Sequence, residues 1–117
     1  MDEAATSPPL EISAQEARRW LDDAGAALRV IDCRDPEEFA FNRLPGAELL
    51  PLSTLPSEAR TRLGEPTDAP LLVYCHHGMR SARAAHILRQ LGYRGARSLA
   101  GGIDRWSLEI DPTMPRY

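Results

Sequence analysis

LLVYCHHGMRSARAAHIL, residues Leu71–Leu88, changes character at its middle. Leu71–Tyr74 is a short unbroken apolar run, the pattern of a strand buried on both faces. From Ser81 onward Ala84, Ala85, Leu88 and Leu91 recur at helical spacing, and Gly92 stands where a helix C-cap belongs. Between them lies a tight loop holding a thiol, two histidines, a glycine and an arginine. A buried strand, a tight loop and a helix make the repeating unit of α/β folds. In an open sheet of that kind ligands bind beyond the carboxyl ends of the strands, which is where Cys75 stands.

The alternation extends in both directions. Ser13-Ala14-Gln15-Glu16 has the form of a capping box and starts a helix over Ala14–Asp23, with Ala17, Trp20, Leu21 and Ala24 as its apolar face and Gly25 as its stop. Leu28–Ile31 reads as a strand ending at Asp32, and Asp35 caps a short helix from Pro36. Ala47–Leu50 reads as a short strand. Ser53–Leu63 reads as a helix that tolerates Pro56 only in its first turn. Ala96–Leu99 is a last strand, and Gly101-Gly102 a turn into a further helical segment. The predicted fold is α/β, with a mostly parallel central sheet and helices on both faces. Residues 1–9 read as a flexible leader and residues 10–117 as a single domain.

Bulk composition narrows the function. Hydrophobic residues at 43% and charged ones at 26% are ordinary for a globular chain, and the net charge of -3 argues against nucleic acid or an anionic membrane as partner. No apolar run approaches the ~20 residues of a membrane helix. The acidic start has no apolar signal segment, so the expected location is the cytoplasm. All fourteen basic residues are arginine, which excludes a Schiff-base lysine. Cys33 and Cys75 are too few for a disulfide scaffold and lack zinc spacing.

The loop chemistry favours a thiolate. A helix N-terminus offers free N–H groups and positive potential, Arg80 adds a charge, and Gly78 lets the loop curl so that its amides point inward. The thiolate is the nucleophilic form, and the same nest suits an anion beside the sulfur. Phosphate, thiosulfate and the outer sulfur of a persulfide all qualify, so a phosphatase and a sulfurtransferase both remain. Cysteine phosphatases use C-x(5)-R. Cys75 and Arg80 form C-x(4)-R, a smaller ring that suits a single sulfur atom better.

Four motifs, VIDCRDPEEF (Val30–Phe39), RLPGAELLPLSTL (Arg43–Leu55), YCHHGMRSARAA (Tyr74–Ala85) and LAGGIDRWS (Leu99–Ser107), together resemble a single-domain rhodanese, a sulfurtransferase. EIDPTMPRY (Glu109–Tyr117) is similar to the rhodanese modules that end some adenylyltransferase–sulfurtransferase proteins. The resemblance implies a rhodanese-like fold and a catalytic Cys75 that takes sulfane sulfur from a donor such as thiosulfate as a persulfide, without a cofactor. Cyanide or a thiol is then the acceptor. His76, His77, Gly78, Met79, Arg80 and Ser81 correspond to the active-site loop, which cradles the persulfide and sets substrate preference. Asp32 and Arg34 match the family's D-x-R, Asp32 being expected to brace the loop and Arg34 to form a salt bridge or add to a positive rim. Arg43 replaces the family's histidine and inherits no role. A protein-to-protein sulfur carrier, loaded by a cysteine desulfurase and serving thiamine, molybdopterin or tRNA thiolation, is a second reading. A non-catalytic interaction module is a third.

Several residues carry two readings. Cys33 is a small buried apolar residue or a resolving thiol for Cys75. His76 and His77 shape the donor pocket, act as acid and base, or join His86 in a metal site, for which the spacing is poor. Arg80 is a loop anchor or an ordinary surface arginine. Ser81 is a donor to the anion or a helix N-cap. Met79 lines the pocket or fills a gap. Trp20, Trp106 and Phe39 are expected in the core.

Overall fold

Residues 8–24 and 28–117 are described by the computed structural model. In chain order the elements are β1 (Glu11–Ile12), α1 (Ala14–Ala24), β2 (Arg29–Asp32), α2 (Pro36–Phe41), β3 (Glu48–Leu49), α3 (Leu55–Leu63), β4 (Leu71–Tyr74), α4 (Met79–Gln90), β5 (Ala96–Leu99) and α5 (Gly102–Glu109). The strands form one sheet in the order β1-β5-β4-β2-β3, with every pairing parallel. The most apolar strand is the central one: all four residues of β4 are buried, as its unbroken run requires.

Alternation along the strands divides the interior in two. Ile31, Leu71 and Val73 face Leu55 and Ala59 of α3 and Ala84, Ala85 and Leu88 of α4. Val30, Leu72 and Tyr74 face Ala14 and Ala17 of α1 and Ile103 and Trp106 of α5. The α/β reading, with a parallel sheet and helices on both faces, therefore holds. Trp106 is in the core and Trp20 packs against it, but Phe39 belongs to neither cluster. Phe39 is half-buried on α2, where the Arg43 guanidinium covers its ring at 4.4 Å.

Boundaries differ from expectation where local turns intervene. The helix expected from Ser81 starts at Met79, because Gly78 at φ +110 makes the turn into it and the Gly78 carbonyl accepts from Ala82 N–H at 3.0 Å. The helix expected from Ser53 starts at Leu55, after a turn in which the Pro51 carbonyl accepts from Thr54 and Leu55. The two-residue β1, which extends the sheet beyond β5, was not anticipated. The Gly25 stop and most of the proposed leader lie outside the described residues. Among the described residues no helix is long and apolar enough to cross a membrane.

Candidate active site

Cys75 follows β4 directly and is 1% exposed. Its Sγ is ringed by neutral donors. The Gly78 amide donates to it at 3.0 Å, the Ser81 amide at 3.3 Å, and the Ser81 hydroxyl lies 3.4 Å away. These groups form the turn into α4, so free N–H groups and the positive helix end converge on one atom. The Ser81 hydroxyl is held from the sheet, 2.7 Å from Ser98 Oγ on β5. The Cys33 thiol, just past β2 and in the same buried cluster as Cys75, donates to the Tyr74 carbonyl at 3.4 Å.

That ring sets the protonation states. The neighbouring Cys33 thiol comes first, followed by the Ser81 hydroxyl and the two amides; against the opposing effect of burial they bring the Cys75 thiol down to about 5. The same pairing, reinforced by burial, pushes Cys33 up, so Cys33 keeps its proton beside the Cys75 anion. Near neutral pH the site holds one thiolate and one thiol.

The N-terminus of α5 supports the loop from its other side. Ile103 N–H donates to the Cys75 carbonyl at 2.8 Å and Asp104 N–H to the His76 carbonyl at 3.1 Å. Gly102 allows this close approach: it sits at φ +63, and a Cβ there would come within 2.5 Å of the Cys75 oxygen and 2.3 Å of the His76 oxygen.

Residues 13–109 match the rhodanese-like domain family. This chain belongs to that family. It is 37% identical over 117 residues to the probable adenylyltransferase/sulfurtransferase MoeZ of Mycobacterium tuberculosis, an alignment covering 99% of this chain and 29% of MoeZ. It is 39% identical over 83 residues to the uncharacterized protein YqhL of Bacillus subtilis, covering 70% of this chain and 63% of YqhL. Human single domain sulfurtransferase TSTD1 superposes with a TM-score of 0.72 at 33% identity, covering 88% of this chain and 98% of TSTD1. The chain thus spans less than a third of MoeZ and nearly all of TSTD1.

Within this rhodanese-like domain, two of the expected site residues, Asp32 and Met79, sit differently from the reading of the sequence, and Arg80 and Ser81 take one of the roles it offered. Arg80 is a loop anchor: its fork forms a two-pronged ion pair with Glu38 of α2, at 2.8 and 3.0 Å, rather than pointing at the sulfur. Asp32 does not touch the loop; its carboxylate binds Arg34 Nε at 2.9 and 3.1 Å and Nη2 at 2.6 Å. Met79 is 86% exposed, because the early start of α4 turns it outward. Of the two readings of Ser81, donor to the anion fits and N-cap does not: it is fully buried in the first turn, with its hydroxyl toward the sulfur.

The histidines form the rim. The His76 ring stacks on Tyr117 with centroids 3.9 Å apart, and its Nε2 lies 3.0 Å from the Tyr117 backbone oxygen. His77 is exposed, with its Nδ1 3.9 Å from Asp104. His86 is exposed on α4. Among the described residues no three His, Cys, Asp or Glu side chains are grouped to hold a metal.

Three contributors escaped the sequence reading. In the sequence Glu38 reads only as an acid near the positive end of a short helix. In the structure it accepts from Asp35 N–H at 3.1 Å, holds Arg80 and accepts from the Tyr117 hydroxyl at 2.5 Å. Ser98 is a small polar residue in a buried strand, and that mismatch was its signal. Tyr117 reaches the site from a segment with no regular structure, and nothing local to it announces the contact.

Proposed function

We propose that this rhodanese-like sulfurtransferase domain carries sulfane sulfur as a persulfide on Cys75, taking it from a donor such as thiosulfate and passing it to cyanide or a thiol. The observation that carries this reading is the ring of neutral donors on Cys75 Sγ. The thiolate attacks the outer sulfur of thiosulfate, a bond forms between the two sulfurs, and sulfite leaves with the electron pair of the broken bond. The acceptor then attacks the outer sulfur and Cys75 departs as thiolate, a good leaving group because its anion is already stabilised. Each step is exchange at sulfur, which calls for no cofactor. A reducing cytoplasm suits it, since both thiols must stay reduced. The arrangement disfavours phosphoryl transfer, because Arg80 is paired with Glu38 rather than open to grip a phosphoryl group.

One observation favours the carrier reading within this class. Two arginines near the loop are matched by carboxylates, Arg80 by Glu38 and Arg116 by Asp104. A small dianion gains little from such a surface, whereas exposed Met79, Phe41 and Tyr117 suit a protein donor, such as a cysteine desulfurase, or a sulfur-carrier protein as acceptor.

The test is intact mass after incubating reduced protein with thiosulfate, beside Cys75→Ser. The expected result is one added sulfur atom in the wild type only, lost on adding cyanide. Loading only by a cysteine desulfurase with cysteine would select the carrier reading. Loading by neither donor would overturn both and leave a binding module.

A further inference from the structure

Cys33 is placed to do more than tune Cys75. β2 and β4 are bonded neighbours, with Asp32 level with Tyr74. The ladder runs one step further, Cys33 N–H donating to the Tyr74 carbonyl at 3.1 Å. Cys33 is therefore level with Cys75. Both belong to the hydrophobic cluster that also holds Ile31 and Val73, two positions back on each strand, so the thiols share one face of the sheet. Neighbouring strands run about 4.8 Å apart, within the Cα spacing of about 4.4–6.8 Å that a disulfide spans. Cys33 is only 2% exposed, and its Sγ lies 3.4 Å from the Tyr74 carbonyl, on the strand that leads to Cys75. Burial shields it from outside thiols and leaves Cys75 as its reaction partner.

We propose that Cys33 resolves the Cys75 persulfide, releasing sulfide and closing a Cys33–Cys75 disulfide. The inference rests on the persulfide reading above. The Cys33 sulfur attacks Cys75 Sγ and a bond forms between them. The bond from Cys75 Sγ to the outer sulfur breaks, and the outer sulfur leaves with that electron pair. It takes up the proton that Cys33 gives up, so a thiol and a persulfide become a disulfide and hydrogen sulfide. The outer sulfur is reduced and the two cysteines are oxidised. An external dithiol reductant reopens the bridge, and the net cycle turns sulfane sulfur and a dithiol into sulfide and a disulfide.

The charge of the site times this step. While Cys75 is a thiolate, its anion holds the proton on Cys33. Once sulfur is loaded, the negative charge moves to the outer atom, farther from Cys33, and the proton is released more readily. An acceptor that arrives promptly takes the sulfur; without one, Cys33 discharges it.

The test loads wild type and Cys33→Val with thiosulfate, or with a cysteine desulfurase and cysteine. Both are desalted into buffer without thiol and followed by intact mass and sulfide release. Wild type is expected to lose the added sulfur as sulfide and finish two hydrogens lighter than its reduced form, with a Cys33–Cys75 link in its peptides. Cys33→Val is expected to keep its sulfur over the same interval. Equal persistence in both proteins, with Cys33 of the wild type still a free thiol, would overturn the step. A second arm needs no sulfur: diamide, a mild thiol oxidant, should bridge the two cysteines of the reduced wild type within one chain. A missing bridge sinks this step alone. A normal bridge with no sulfur loaded in either protein sinks the persulfide reading, and this step with it.

Discussion

The carboxyl ends of β2 and β4 lie side by side and treat a buried charge in opposite ways. Past β2, the side chains of Arg34 and Asp32 are wholly buried and joined at 2.6 Å. The remaining Arg34 donors go to Asn42 Oδ1 at 2.8 Å, the Asn42 carbonyl at 2.6 Å and the Tyr117 hydroxyl at 2.8 Å. The charge is cancelled and its donors are filled, and the result ties β2, α2 and the chain end together. Past β4, Cys75 has two amides, a hydroxyl and a thiol around it, and the arginine of its own loop is bonded to Glu38 instead. A charge met by a full counter-charge becomes structure. A charge held by dipoles alone stays available to react.

Breaking the first arrangement should have the larger effect on stability. Arg34→Leu leaves the Asp32 carboxylate buried without its partner, a loss of about 3–5 kcal/mol, against a total of about 5–15 kcal/mol for a domain. Urea unfolding reads it directly. A loss under ~1 kcal/mol would show that Asp32 finds other partners or water, and the contrast between the two strand ends would fail.

Ser81→Ala tests the second arrangement and should change reactivity more than stability. A hydrogen bond to a charged group contributes about 1.5–3 kcal/mol, equivalent to about 1–2 pKa units. The Cys75 midpoint should rise from its value of about 5. Because the thiolate is the form present above the midpoint, alkylation by iodoacetamide should slow at about pH 6 and be nearly unchanged in alkali. An unmoved midpoint would mean that the amides and Cys33 suffice.

Cys75 was legible because its signal is local: an apolar strand, a loop with Gly78, and a helix all lie within about twenty residues of sequence. The direction of the thiol shift followed from the same facts. The partner of Arg80 was not legible, because Glu38 stands on a different helix, where an acid near the positive end already explains itself. The early start of α4 at the left-handed Gly78 turns Met79 outward, against both readings of it, and decides for Ser81 between its two readings by turning it onto the sulfur. β1 has two residues and so shows no period to read. Tyr117 is placed by long-range contacts alone, to Arg34, Glu38 and His76.

Glu38 is where the two arrangements meet, since it pairs with the Arg80 charge beside the sulfur and also accepts from Tyr117, which binds Arg34. Chiefly through the Arg80 hydrogen bonds its carboxyl is lowered from 4.5 to about 2. The sign is that of a depressed acid: the stabilisation is complete above pH 4.5 and fades as pH falls toward about 2. On acidification Cys75, at about 5, therefore takes its proton before the ion pair weakens. Glu38→Gln keeps an acceptor for Asp35 and Tyr117 and removes the charge. With Arg80 uncancelled, the Cys75 midpoint should fall by a few tenths of a unit, because a charge acting from a partly exposed site contributes less than about 1 kcal/mol. That shift should shrink as salt is added. A midpoint that rises instead would mean that the ion pair matters for holding the amides of the loop in place, and that geometry outweighs charge at this sulfur.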